Sequence, residues 1–231
     1  MSCAVRDDKR YLSNVSKMPG SSISRDARLC HVGSKLRNIP GSTCSKCYAL
    51  KGMYNMPNVR EAMARREDFF HAIDFVPRMI RVLNRLRKPE FRWFDSGDVE
   101  DERMADNILD VCEATPNKMH WIPTREKKIW RAVLRRRPLP DNVTLRVSAA
   151  MIDGDAPQGF ENTSTVAGAA DKLVGHVCEA YRTKSNGEMI SVADYDAAKN
   201  AKTLAKLDLG HCGPCRACWS RDVKNVTYYQ H

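Results

Sequence analysis

Seven of the nine cysteines in this 231-residue chain fall into two groups, one toward each end. The first is Cys30, Cys44 and Cys47, in which Cys44-Ser-Lys-Cys47 is a C-x-x-C step behind the turn-forming pair Pro40-Gly41. The second is Cys178 followed by Cys212-Gly-Pro-Cys215-Arg-Ala-Cys218, two C-x-x-C steps that share a cysteine. A gap of two residues lets successive thiolates curl back onto one centre, and three at that spacing wrap a polynuclear iron–sulfur cluster, the four-iron form (4Fe-4S) being the expected one. Zinc stays open beside it, because Cys44/Cys47 and Cys212/Cys215 could meet as two ligand pairs of a tetrahedron. His31 and His211 adjoin ligand cysteines and read either as polar neighbours or as completing ligands, while His71, His120 and His176 carry no spacing. Cys112 lies at helical spacing with Ile108, Leu109 and Val111 and reads as a buried core thiol; Cys3 has no ligand spacing.

Something must position these groups. Residues 1–56, rich in Ser, Gly, Asn and Pro, show no sustained period and read as a cysteine-bearing loop region. From 58 to 87 apolar residues recur at helical spacing, with a break near Pro77. An alternation follows: strand 91–94, helix 101–114, strand 118–122, helix 125–136, strand 144–149. Residues 163–167 read as a further strand, 194–206 as a helix, and the remainder as loop. Short strands separated by helices imply parallel strands joined by right-handed crossovers, hence an α/β fold with a sheet or partial (β/α) barrel. The expected organisation is a single domain, 1–231, made of the loop region 1–56, a β/α core 57–170 and a cysteine-bearing C-terminal segment 171–231.

In such a sheet, ligands gather at the carboxyl ends of the strands. The residues expected there are Asp95, Ser96 and Asp98 of the DSGD segment, Thr124 and Arg125, and Ser148 at the end of a strand that carries Arg146. Carboxylates and guanidinium groups converging on one pocket suit an amine, a carboxylate or a phosphate, with Gly97 permitting close backbone approach. The same residues also have structural readings: Asp98 as a helix cap, Arg125 as an ion-pair partner.

The 42% hydrophobic content allows a full core, no apolar run approaches a membrane span, and the start MSCAVRDDKR lacks the apolar stretch of a secretion signal. These features place the chain in a reducing cytoplasm, where nine cysteines are poorly explained as disulfides. The net charge of +10 admits nucleic acid as a partner, and the same clusters, at 60–66, 78–88, 125–128 and 131–137, also read as solvated helix faces.

The segments SKMPG (16–20), GSKLRNIPGSTCSKCYALKGMY (33–54), FRWFDSGDV (91–99), WIPTRE (121–126), LRVSAAMID (145–153), CGPCRACW (212–219) and VKNVTYYQH (223–231) resemble the phage gene product 88 family. The resemblance runs from about residue 13 to the end. It implies a phage protein acting in the cytoplasm of an infected host, a cysteine pattern similar to that of iron–sulfur proteins, and a fold similar to the partial barrel of radical S-adenosylmethionine enzymes. S-adenosylmethionine or a related small molecule is the ligand it suggests. The cysteines differ from the usual C-x3-C-x2-C motif of those enzymes, because Cys30-x13-Cys44-x2-Cys47 keeps only the final pair and the following Tyr48. The expected function is therefore an iron–sulfur protein binding a small molecule. The alternative is a non-catalytic accessory protein stapled by iron–sulfur or zinc, whose basic surface engages nucleic acid or a host protein.

Overall fold

The computed structural model describes residues 8–13 and 15–230; Cys3 lies outside the described residues. Its centre is a seven-stranded sheet in which every pairing is parallel: β1 (Ser21–Ile23), β2 (Glu90–Trp93), β3 (Met119–Thr124), β4 (Val143–Ile152), β5 (Asn162–Ala167), β6 (His176–Val177) and β7 (Asn225–Tyr229). The spatial order is β1-β2-β3-β4-β5-β7-β6. The chain is α/β as expected, and its sheet runs from a β1 edge to a β6 edge.

Helices α1 (His31–Leu36), α2 (Pro57–His71) and α3 (Phe75–Leu83) return the chain from β1 to β2; α4 (Glu102–Glu113) and α5 (Lys127–Leu134) make the next two crossovers. A last helix, α6 (Val192–Asn200), lies between β6 and β7. Pro57 opens α2, where its missing N–H costs nothing, and the Asp101 side chain accepts from Met104 N at 2.7 Å to cap α4.

The two-residue period of the strands separates two faces. In β4, Val143, Leu145 and Val147 enter the apolar core with Phe91, Trp93, Ile122, Met79, Leu83, Ile108 and Trp130, whereas Thr144, Arg146 and Ser148 point the other way. That second face is covered by the C-terminal segment: Thr144 Oγ1 donates to the Trp219 carbonyl at 2.8 Å, and Trp219 Nε1 to the Phe91 carbonyl at 3.0 Å. Cys112 is fully buried in the core, as its helical spacing predicts. The basic run on α5 is partly neutralised, since Arg136 and Arg137 pair with Glu102, Asp106, Asp110 and Glu113 of α4.

Three strands were not visible in the sequence. β1 contributes one apolar residue, β6 has two residues, and β7 lies in the tail read as loop. β7 nevertheless forms five parallel partners with β5, from Thr163↔Asn225 to Ala167↔Tyr229, and wedges between β5 and β6. The expected helix 194–206 is shorter, ending at Asn200 before a separate turn at Leu204–Lys206.

His120 is sealed in the core on β3. Trp93 Nε1 donates to its Nδ1 at 3.2 Å, and Thr115 Oγ1, whose own proton goes to the Val111 carbonyl, lies 2.9 Å from its Nε2. The ring is thus held neutral with its proton on Nε2, and burial pushes its pKa down to about 3. A histidine whose folded pKa lies below its unfolded value contributes stability that is present above about pH 6.5 and is lost as the pH falls toward 3. Denaturant unfolding is expected to lose roughly 2–3 kcal/mol through this residue between pH 6.5 and 4.5. His120→Gln should flatten that slope; an unchanged slope would rule out the assignment.

A cavity walled by two thiol groups

The carboxyl ends of the strands open into a cavity of about 830 Å3. It is lined by Cys30, Cys44 and Cys47 from the first group, by Cys178, Cys212 and Cys218 from the second, and by Asp95, Ser96, Asp98, Thr124, Arg125 and Ser148.

The turn after β2 begins with Phe94, a non-glycine at φ 55°, and continues to Gly97 at φ 79°. A Cβ on Gly97 would come within 2.7 Å of the Arg25 carbonyl oxygen, so only glycine lets the DSGD turn lie against that backbone. Asp98 then ties β2 to β3: its carboxylate accepts from Thr124 Oγ1 and Arg125 N, both at 2.7 Å, and from Val99 N at 2.8 Å. Burial is the largest influence on Asp98 and raises its pKa to about 6, against those hydrogen bonds. Asp98 does not cap α4, and Arg125 reaches Thr43 Oγ1 at 3.0 Å through its Nε. Asp95 accepts from Ser22 Oγ at 2.9 Å, Ser96 Oγ donates to the Arg25 carbonyl at 2.8 Å, and Ser164 Oγ donates to Ser148 Oγ at 3.0 Å. The register between β4 and β5 shifts between Ser148 and Ile152, next to the cavity-lining Ser148 and Ala149.

Arg146 is the exception among the expected ligand residues. It is fully buried and does not line the cavity; its two terminal nitrogens donate to the carbonyls of Thr163, Ala217, Ser220 and Val223 at 2.9–3.1 Å. It clamps the C-terminal segment onto the sheet, a role that alternation alone cannot distinguish from ligand binding.

Long-range contacts deliver each thiol segment. Val32 N donates to Glu126 Oε1 at 2.8 Å, and Thr43 N to the Ala150 carbonyl at 2.9 Å, fixing the loops of the first group to β3 and β4. For the second group, Cys178 N donates to the Thr227 carbonyl at 2.8 Å and Cys212 N to the Lys17 carbonyl at 3.0 Å. The absence of a side chain at Gly33 leaves room between two thiols: a Cβ there would stand 3.6 Å from Cys30 Sγ and 3.8 Å from Cys44 Sγ.

The electrostatics separate the cysteines into three and four. Burial pushes Cys30 up to about 12, reinforced by Asp98 and by Cys44 and Cys47. Cys178 is pushed up to about 12 by burial, then by Cys218, Cys212 and Cys215; Cys212 rises to about 11 from burial, then Cys218 and Cys215. Cys30 thus feels the charge of Cys44 and Cys47, and Cys178 and Cys212 feel that of Cys215 and Cys218. Cys215 is exposed and off the cavity wall, with its Sγ 3.5 Å from His176 Nε2. Tyr228 Oη lies 3.3 Å from Cys218 Sγ. His211 contacts Asp208 rather than a thiol.

A family model described as Gene product 88 matches residues 11–221. The chain belongs to the Gene product 88 family. Comparison with curated proteins and with solved structures gives no match. Among the described residues, no helix of this Gene product 88 protein is long and apolar enough to cross a membrane.

Several further residues complete the cavity wall. Arg92 and Trp121 lie on the second face of β2 and β3, and Tyr181, Tyr195 and Tyr229 form a ring cluster with centroids 4.7–6.3 Å apart. Arg92 could have been found from its place between Phe91 and Trp93, which puts a charge on the face opposite two core aromatics. The tyrosines come from three separate segments and offer no local signal. The only set of three ligand atoms within 4.8 Å of one another among the described residues is Glu67, His71 and Glu100, whose carboxylates are already paired with buried Arg25.

Proposed function

We propose that this protein holds iron–sulfur clusters on its two thiol groups and binds a small molecule in the cavity between them. The observation that carries the reading is that cysteines from both ends of the chain line one cavity with the polar strand ends. The donor set fits. Four thiolates on one zinc ion would stand about 3.8 Å apart, given Zn–S bonds of about 2.3 Å. No three sulfurs among the described residues lie within 4.8 Å of one another, so no three of them stand at that zinc spacing. Three thiols in the first group leave one iron of a four-iron cluster open to a ligand, and four in the second close theirs. When bound, such clusters supply one-electron chemistry.

The finer version of this reading is a partial (β/α) barrel similar to that of radical S-adenosylmethionine enzymes, with S-adenosylmethionine or a related molecule in the cavity. It is supported by parallel strands in consecutive order from β1 to β5, helices packed in the core against one sheet face, and a polar opposite face. The chain's own residues then orient the ligand: Asp98 holds the Thr124–Arg125 turn, and the Arg125 hydrogen bond to Thr43 fixes the loop that carries Cys44.

Anaerobically purified protein is expected to be brown and to contain iron with acid-labile sulfide. Colourless protein with zinc and no sulfide would overturn the proposal. Calorimetry with S-adenosylmethionine then separates an enzyme, which binds it, from an accessory protein, which does not.

A further inference from the structure

Among the described residues, the buried guanidinium groups of Arg25, Arg66 and Arg146 are held by oxygen partners, although Arg146 Nε itself has none. Arg25 pairs with Glu67 and Glu100, Arg66 donates to the Tyr11 carbonyl and Ser24, and Arg146 holds backbone carbonyls. Arg92 is different. It is half-buried and lines the cavity. Among the described residues it forms no ion pair; its Nε has no hydrogen-bond partner, and its Nη1 reaches only Met18 Sδ, at 3.7 Å. The guanidinium carbon lies 4.6 Å from the centre of the Trp121 ring, and Trp121 is itself braced edge-on by Trp219 at 5.2 Å. Trp121 is 6% exposed, lines the same cavity, and its Nε1 is also buried without a partner.

Two adjacent side chains on the cavity wall therefore carry unpartnered nitrogens, one of them on a charged group that lies over an indole ring. Native proteins satisfy nearly all buried polar groups, and those left over in a cavity indicate what the cavity accepts. A planar guanidinium with free N–H groups matches the two oxygens of a carboxylate or phosphate.

We propose that Arg92, supported by Trp121, receives the oxyanion end, a carboxylate or phosphate, of the small molecule bound in this cavity. This deepens the small-molecule part of the reading above and does not depend on the nature of the metal. The carboxylate of Asp95 acts on Arg92 through space without pairing with it, so it opposes an incoming anion.

The test is calorimetry on the full chain as purified anaerobically, titrated separately with inorganic phosphate and with acetate; the probe that saturates identifies the source of the oxyanion. Saturable binding of at least one is expected, weakened at least tenfold in Arg92→Met and less in Arg92→Lys. Asp95→Asn, which removes the opposing charge, should tighten it several-fold. Failure of both probes to saturate, or wild-type affinity in Arg92→Met, would overturn the proposal. Should Arg92→Met not fold, an Asp95→Asn affinity no tighter than wild type would do so. Iron content measured in the same samples keeps this result apart from the cluster reading, because Arg92 is not a metal ligand in either case.

Discussion

Replacing Cys178, Cys212 or Cys218 by Ala is expected to strip one part of the bound iron and leave the other, whereas replacing Cys30, Cys44 or Cys47 should do the reverse. Each group can supply the thiolates of one cluster of about four irons, so wild-type iron and sulfide should fall by roughly half in either class of variant. The expectation rests on the separation into three and four, in which Cys30 responds to Cys44 and Cys47, and Cys178 to Cys218, Cys212 and Cys215. The consequences for stability should differ. The first group's loops remain tied to β3 and β4 by Val32 N–Glu126 and Thr43 N–Ala150, whereas the described part of the segment from 178 to 218 is largely exposed or half-buried and has few apolar anchors. Loss of metal from the second group should therefore also lower the melting temperature and increase proteolysis of that segment, because metal binding supplies order that the local core does not. Cys112→Ala, which removes a thiol sealed in the core, should keep all the iron. Iron and sulfide assays on the anaerobically purified variants check this; a single substitution in either group that empties both would show one shared centre instead.

Arg146→Met is expected to be among the most destabilising single changes outside the cysteines. The substitution removes a fully buried charge together with the donors to the carbonyls of Thr163, Ala217, Ser220 and Val223. Methionine fills much of the volume, so the cost comes from buried carbonyls left without partners, together about 3–5 kcal/mol after relaxation. Against a typical total of about 5–15 kcal/mol this is a large fraction, and for a chain of this size it corresponds to a melting-temperature drop of roughly 10 °C. Arg146→Lys should not rescue it, since one ammonium cannot reach carbonyls spread around a planar fork. Thermal unfolding followed by circular dichroism measures the effect; a loss under about 1 kcal/mol would mean that the carbonyls find other donors.

Features that depend on neighbours along the chain are legible in the residues alone. C-x-x-C spacing, the turn residues around it and the alternation of helix with strand are local, because the backbone fixes how far side chains two to four residues apart can separate. The order β-α-β-α-β further implied that DSGD, Thr124 and Ser148 would share one end of the sheet, since parallel strands with right-handed crossovers leave no other arrangement. The rest depends on packing between distant segments. β1, β6 and β7 are too short or too polar to be recognised alone; they exist because neighbouring strands supply the hydrogen bonds, as β5 does for Asn225–Tyr229. Arg92 and Arg146 occupy equivalent alternating positions on neighbouring parts of the same sheet face, yet one faces a cavity with no oxygen partner among the described residues and the other is held through both terminal nitrogens by carbonyls from residues 163–223. Nothing local distinguishes them, because whether a buried charge is a clamp or an open donor depends on which distant backbone packs against it.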